Sequence, residues 1–218
     1  MTANGRMGGK ILADGLKAQG VDAIFGVPGE SFLALLDGLY DQRDTIRFIT
    51  CRQEGGAANM AEAYGKLTGR PGVCVVTRGP GATNASVGLH TAFQDSTPMI
   101  LLVGQVGREM LDREAFQEVN HQIFFSEMSK WSAEIKDASR IPEYLSHAFH
   151  VALSGRPGPV VLSLPEDMLR DIAEVQDAPR AIPVQPAPTI EQMNEVREML
   201  ENAERPLMIL GGSGWSPE

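Results

Sequence analysis

Glu54 stands in the run Arg52-Gln53-Glu54-Gly55-Gly56, a carboxylate followed by two residues without side chains. Such a group can take or share a proton with a ligand, and the glycines let a second surface approach it closely. The plainer reading is that Glu54 only complements the positive end of the helix that follows, an effect of ~0.3–1 kcal/mol. FGVPGE (25–30) and RGPGATN (78–84) are turn sequences, and AFQE (115–118) lies in a long polar stretch. Each has its own plain reading. Pro28, Gly29 and Pro80 suit tight turns, Asn84 suits a helix cap, and Gln117 suits a solvated loop. His90, His121, His147 and His150 show no ligand spacing, which leaves core or surface roles. Cys51 and Cys74 match neither a metal site nor a disulfide framework and read as small core hydrophobes in a reducing, cytoplasmic setting. No metal-binding residue is assigned.

The elements that must carry these groups alternate. A helical pattern over 7–19 buries Ile11, Leu12 and Leu16 and stops at Gly20. A strand over 23–27 runs into Pro28-Gly29-Glu30, and 32–39 is helical again. The strand 46–50 passes through Glu54 into an alanine-rich helix with Met60, Ala63, Tyr64 and Leu67 on one side. Val73 to Thr77 is an apolar run of the kind buried on both faces, followed by the turn 79–84 and a helix from about Asn84 to Phe93. Met99 to Val103 is a further buried strand. The stretch 105–120 lacks periodicity and is long for a connection. Helices are expected at about 121–128 and 141–153, a short strand at 131–135, and a last strand of the sheet at 160–164.

This alternation predicts an α/β fold: a doubly wound, mostly parallel sheet with helices on both faces, built from right-handed βαβ units. In such a sheet the loops 27–30, 50–55 and 78–84 share the rim at the strands' carboxyl ends, where ligands bind. The proline-rich stretch 179–188 reads as linker. Beyond it Thr189 caps a helix to about Ala203, 206–210 reads as a strand, and Gly211-Gly212-Ser213-Gly214 as a turn. The division expected is a domain over 1–170, a linker over 171–189, and the start of a truncated second domain over 190–218.

Composition narrows the function. The 218 residues carry a formal net charge of −9, a pI near 5.0, 43% hydrophobic and 22% charged residues. With no basic stripe, nucleic acid is not the expected partner. The amino terminus has no apolar leader pattern and no run reaches membrane-spanning length, so no membrane role is expected.

Taken together, FGVPGE (25–30), RQEGGAANMAEAYGKLTG (52–69), RGPGATN (78–84), DSTPMILLVGQV (95–106), AFQE (115–118) and SGRPGPVVLSLPEDM (154–168) resemble the amino-terminal pyrimidine-binding domain of thiamine-diphosphate enzymes of the acetolactate synthase/pyruvate oxidase group. The tail RPLMILGGSGW (205–215) is similar to the start of that group's central domain. The resemblance implies thiamine diphosphate held between two subunits of a homodimer or a dimer of dimers. Mg²⁺ and the diphosphate would be held by a domain absent from this chain, and FAD would be carried by the central domain of some relatives. It implies decarboxylation of a small 2-oxo acid with transfer of the resulting aldehyde unit, and a chain that is inactive alone. Glu54 matches the glutamate that hydrogen-bonds a pyrimidine nitrogen and favours the imino tautomer. Pro80 and Asn84 match cofactor contacts, Pro28 and Gly29 the loop beside the reaction centre, and Gln117 a residue reaching in from a mobile loop. Two departures stand out: Glu30, where biosynthetic acetolactate synthases read PGG, and Gln53, where many relatives carry histidine. Both are compatible with another 2-oxo acid, a decarboxylase or an acyl-transferring relative. A small subunit of a two-chain decarboxylase and a non-catalytic regulatory module of the same fold are the alternatives.

Overall fold

A computed structural model describes residues 5–184 and 186–212. The chain opens with the two-residue strand β1 (Arg6–Met7) and helix α1 (Gly8–Ala18), whose Ile11, Leu12 and Leu16 are fully buried. Gly20, at φ 83°, takes the left-handed conformation that ends the helix without a Cβ penalty. Then come β2 (Ala23–Gly26), α2 (Leu33–Asp41), β3 (Arg47–Thr50), α3 (Glu54–Thr68), β4 (Gly72–Val76), α4 (Pro80–Gln94) and β5 (Met99–Gln105). After a long loop follow α5 (His121–Phe124), β6 (Trp131–Glu134), α6 (Ile141–Leu153), β7 (Pro159–Pro165), β8 (Ile172–Ala173) and α7 (Ile190–Glu201).

Six strands form one sheet in the order β3-β2-β4-β5-β7-β6, and every adjacent pair is parallel. The expected doubly wound α/β sheet is therefore present, and β7, last of the six in sequence, lies inside it between β5 and β6. Alternation along the strands divides the core between the two faces. Val73, Val75, Ile100, Leu102, Val160 and Leu162 pack with α1, α2 and α6. Cys74, Val76, Met99, Leu101, Val103 and Val161 pack with α3 and α4. The chain winds from β2 out to β3, then returns to place β4 on the other side of β2. Between β2 and β4 the winding reverses, and in an open parallel sheet that crevice is where a ligand fits.

Three expectations are corrected. Helix α4 begins at Pro80 rather than near Asn84, because Gly79 turns the chain at φ 54°, Thr83 N–H donates to its carbonyl at 2.9 Å, and Pro80 fits the first helical turn. Helix α5 is a single turn and does not reach Met128. The Ser126 and Ser129 hydroxyls donate to the carbonyls of Ile123 and Phe125, and the chain continues in turns. Residues 206–210 form no strand; they have no pairing partner among the described residues, and Leu207, Met208, Ile209 and Leu210 are exposed. Of the anticipated glycine-rich turn 211–214, Ser213 and Gly214 lie outside the described residues. As expected, α3 carries Met60, Ala63 and Leu67 on one side, which faces outward. Its buried side is Gly55, Ala57, Ala58, Ala61, Glu62 and Gly65.

The stretch after the sheet is anchored before it departs. Strand β8 pairs antiparallel with β1, and Arg6 donates to the Val175 carbonyl at 2.8 Å while pairing with Asp177 at 2.9 Å. Gln19 then clasps the backbone twice: its Nε2 donates to the Pro179 carbonyl at 2.9 Å, and its Oε1 accepts from Ala181 N–H at 2.8 Å. Thr189 and Gln192 form a reciprocal capping box that starts α7, a helix with no buried residue.

Candidate functional site

Helix α3 starts on the rim because Gln53, in extended backbone, accepts from Gly56 N–H at 2.9 Å through its Oε1. Glu54 is thus the first helical residue and half-buried, so a change in its surroundings can reach it. The side chain is not left loose. Asn84 Nδ2 donates to Glu54 Oε2 at 3.0 Å, while Oε1 has no hydrogen-bond partner among the described residues. Asn84 belongs to the second turn of α4, so the capping role open to it on sequence grounds is not the one it fills.

The two helices bring these groups together through backbone contact. A Cβ on Gly55 would stand 3.2 Å from the Asn84 carbonyl, and one on Gly88 would stand 2.6 Å from both the Ala58 carbonyl carbon and its Cβ. On the same rim, a Cβ on Gly81 would come within 2.9 Å of Thr77 Cγ2 and 3.6 Å of Glu54 Oε1. One on Gly29 would sit 2.6 Å from Thr77 Cβ, and the Ser31 and Thr77 hydroxyls share a hydrogen bond of 2.8 Å. The loops after β2, β3 and β4 therefore meet at one place, with Gly29, Glu54, Pro80 and Asn84 around it. Pro28 is exposed beside half-buried Gly29.

Gln117 joins the rim from the loop 106–120. A Cβ on Gly79 would lie 2.5 Å from the Gln117 carbonyl oxygen. Gln117 itself is left-handed at φ 62°, as are Asp112 and Glu114. The turn is tied by Glu118, whose carboxylate accepts from Asp112 N–H at 2.6 Å and Ala115 N–H at 3.0 Å. Those two bonds hold its pKa below the ordinary glutamate value.

One rim residue escaped the reading of the sequence: Arg78. It is 7% exposed, and its Nη2 donates to Glu30 Oε1 at 2.7 Å. The available signal was a charged residue directly after a strand buried on both faces, with an unexplained acid, Glu30, in the neighbouring rim loop. Glu30 is thus not a lone negative charge beside the crevice.

The remaining titratable candidates do not join the site. His121 is buried, with Nδ1 2.9 Å from Ser163 Oγ, and burial lowers its pKa to about 4. Cys74 is buried in the core, where desolvation pushes the thiol well above its usual range; Cys51 is half-buried. No cluster of metal-ligating residues occurs among the described residues. Nor is any helix of them long and apolar enough to cross a membrane. A cavity of about 330 Å³ lies at the other end of the sheet, between Val21, Asp22, Arg70, Phe149 and Ile182, and Glu54 does not line it. Glu54 faces an open rim that an additional surface could close.

Residues 6–124 match the family described as "Thiamine pyrophosphate enzyme, N-terminal TPP binding domain". The chain is 38% identical over 219 residues to an acetolactate synthase of Arthrospira platensis, an alignment covering 94% of this chain and 37% of the relative. It is 36% identical to an acetolactate synthase large subunit of Lactococcus lactis, covering 94% of this chain and 36% of that one. Against the acetolactate synthase isozyme 2 large subunit of Escherichia coli it is 35% identical, covering 94% and 37%. The chain spans a little over a third of the length of these relatives.

Proposed function

Since the chain belongs to the thiamine pyrophosphate enzyme family and corresponds to its amino-terminal cofactor-binding domain, we propose that its rim receives the pyrimidine end of thiamine diphosphate, with Glu54 as the catalytic residue. The observation that carries this reading is the divided carboxylate. Oε2 is fixed by Asn84 at 3.0 Å, and Oε1 has no hydrogen-bond partner among the described residues, beside the side-chain-free surface of Gly81. A carboxyl group held by one oxygen can present the other to a ring nitrogen in a single orientation, and can hold or share a proton there. Gly29, Gly55 and Gly81 let the rim loops pack closely around this point, since a Cβ at any of them would meet Thr77 or Gln53 at 2.6–2.9 Å.

When bound, the cofactor supplies the nucleophilic carbon and the electron sink for cleaving a 2-oxo acid. The protein's part is alignment. Glu54 engages the ring, Asn84 orients Glu54, Pro28, Gly29 and Pro80 shape the crevice, and Gln117 approaches from the loop. The full-length protein would be a decarboxylase or carboligase resembling acetolactate synthase, acting on a small 2-oxo acid. This chain alone would be inactive, because Mg²⁺ and the diphosphate would be held elsewhere, and FAD would belong to the central domain. Two copies would meet through 50–95. Met60, Leu67 and Val87 on α3 and α4 support this, being 44%, 86% and 57% exposed. The domain would end near residue 170, with 171–189 connecting it to a further domain opened by 190–218. The exposure of Ile190, Met193 and Met199 on α7 supports that division. Unpaired Cys51 and Cys74 suit a cytoplasmic setting.

The test is Glu54→Gln in the full-length protein, assayed on a panel of 2-oxo acids with thiamine diphosphate and Mg²⁺. Loss of a proton-handling group at the reacting ring should lower turnover by ~10²–10⁴-fold. The glutamine can keep the Asn84 contact, so the melting temperature should be preserved. Turnover equal to the parent enzyme would refute the assignment.

A further inference from the structure

The loop 106–120 places Asp112, Glu114 and Gln117 in the left-handed region, at φ 61°, 53° and 62°. Residues with a Cβ adopt that conformation at a cost, so the shape must be held by surrounding restraints. Glu118 supplies one restraint from within the loop itself. The restraint from the sheet is Arg78. Its Nε donates to the Phe116 carbonyl at 3.1 Å, its Nη2 to Glu30 Oε1 at 2.7 Å, and its Nη1 lies 3.7 Å from Glu166 Oε2. One guanidinium thus contacts the loops that follow β2, β5 and β7, from its own position directly after β4. Gly79, the next residue, packs its bare Cα against Gln117.

We propose that Arg78 is a positioning residue. It holds the Gln117 segment against the cofactor rim, and Glu30 is its counter-charge rather than a group that meets substrate. The proposal rests on the reading of this rim as the thiamine-diphosphate site. It accounts for Glu30 in FGVPGE at 25–30: the neighbouring loop supplies an acceptor to the buried guanidinium placed after β4. Nη1 is buried and makes no hydrogen bond, so the guanidinium is held by only two of its three nitrogens. A fork geometry is required to reach a carbonyl and a carboxylate from one side chain, and a lysine ammonium offers no such fork.

Hydrogen–deuterium exchange on the full-length protein tests this. Removing the guanidinium with Arg78→Met should raise exchange in peptides covering 111–118 by about tenfold, the size expected for losing a charge-assisted hydrogen bond. Peptides covering 99–105 should stay protected. Glu30→Gln, which keeps an acceptor for Nη2, should leave the loop within about twofold of the parent. If Arg78→Met does not fold, Arg78→Lys carries the test, with an expected rise of about threefold confined to 111–118. Unchanged exchange, or a rise shared equally with 99–105, would reduce Arg78 to general structural support and overturn the proposal. Glu54→Gln separates this from the function itself. It should leave 111–118 unaltered, so failure of the site reading would show in turnover and failure of the positioning role in exchange.

Discussion

Replacing Gly88 by alanine tests how α3 and α4 hold Glu54 and Asn84 together. The new Cβ would stand 2.6 Å from the Ala58 carbonyl carbon and Cβ, and 2.7 Å from the Asn59 nitrogen. Two of these three are backbone atoms, which cannot swing away as a side-chain tip would. Carbon atoms sit comfortably at ~3.5–4.0 Å, so the helices must part by roughly 1 Å. Overpacking of this kind costs ~1–3 kcal/mol, and the gain in helix propensity on losing a glycine offsets ~1 kcal/mol of it. The net loss, ~0–2 kcal/mol, should lower the melting temperature by up to ~8 °C, at ~2–4 °C per kcal/mol for a domain of this size. The site should suffer as well. Asn84 lies one turn before Gly88, and the same displacement stretches its 3.0 Å bond to Glu54 beyond hydrogen-bonding range. Gly56→Ala is the control, because a Cβ there meets nothing within 4 Å. It should be neutral or stabilise by ~0.4–1 kcal/mol. Thermal unfolding followed by circular dichroism, at dilutions that keep the chain monomeric, measures both. If Gly88→Ala melts at or above the parent temperature, the close packing argued here is not what fixes the site.

Two further outcomes are expected. His121 has a folded pKa of about 4 against an ordinary 6.5, so the unfolded chain takes up its proton more readily. Its stabilising contribution is complete above pH 6.5 and is lost as pH falls toward 4, by about 3 kcal/mol at 1.36 kcal/mol per pKa unit. Urea unfolding of His121→Asn should show a correspondingly shallower acid limb, and an unchanged limb would refute this. Leu67 is 86% exposed, so Leu67→Glu should alter the stability of the single chain by no more than ~0.5 kcal/mol while weakening self-association about tenfold. Sedimentation velocity over a concentration series reads this, and a strict monomer throughout for the parent chain would remove the basis of the proposed interface.

The sheet was readable because its central strands are buried on both faces. Val73 to Val76 and Met99 to Val103 are unbroken apolar runs that admit few other placements. Glu54, Gly29 and Pro80 were readable as rim residues from the strand–turn–helix order alone. The reading faltered where geometry depends on a distant partner. Asn84 has the side chain of a cap, but the left-handed Gly79 starts the helix early and turns Asn84 toward Glu54, 30 residues away in sequence. Arg78 and Glu30 are 48 residues apart, and no local pattern announces their pairing. Small residues, not large ones, line a contact between two close helices, so Ala58 and Gly55 are inside while Met60 and Leu67 are out. The run 206–210 has the composition of a strand and lacks the neighbour that would make it one.

The double clasp of Gln19 on Pro179 and Ala181 has a consequence for reach. Although the connecting stretch is counted from residue 171, the free leash begins only after Ala181, which is buried. From there to Thr189 is eight steps of chain, at most ~28 Å when fully drawn out. Thr189, where α7 begins, must therefore lie within this radius of the sheet's amino-terminal edge, on the far side from Glu54.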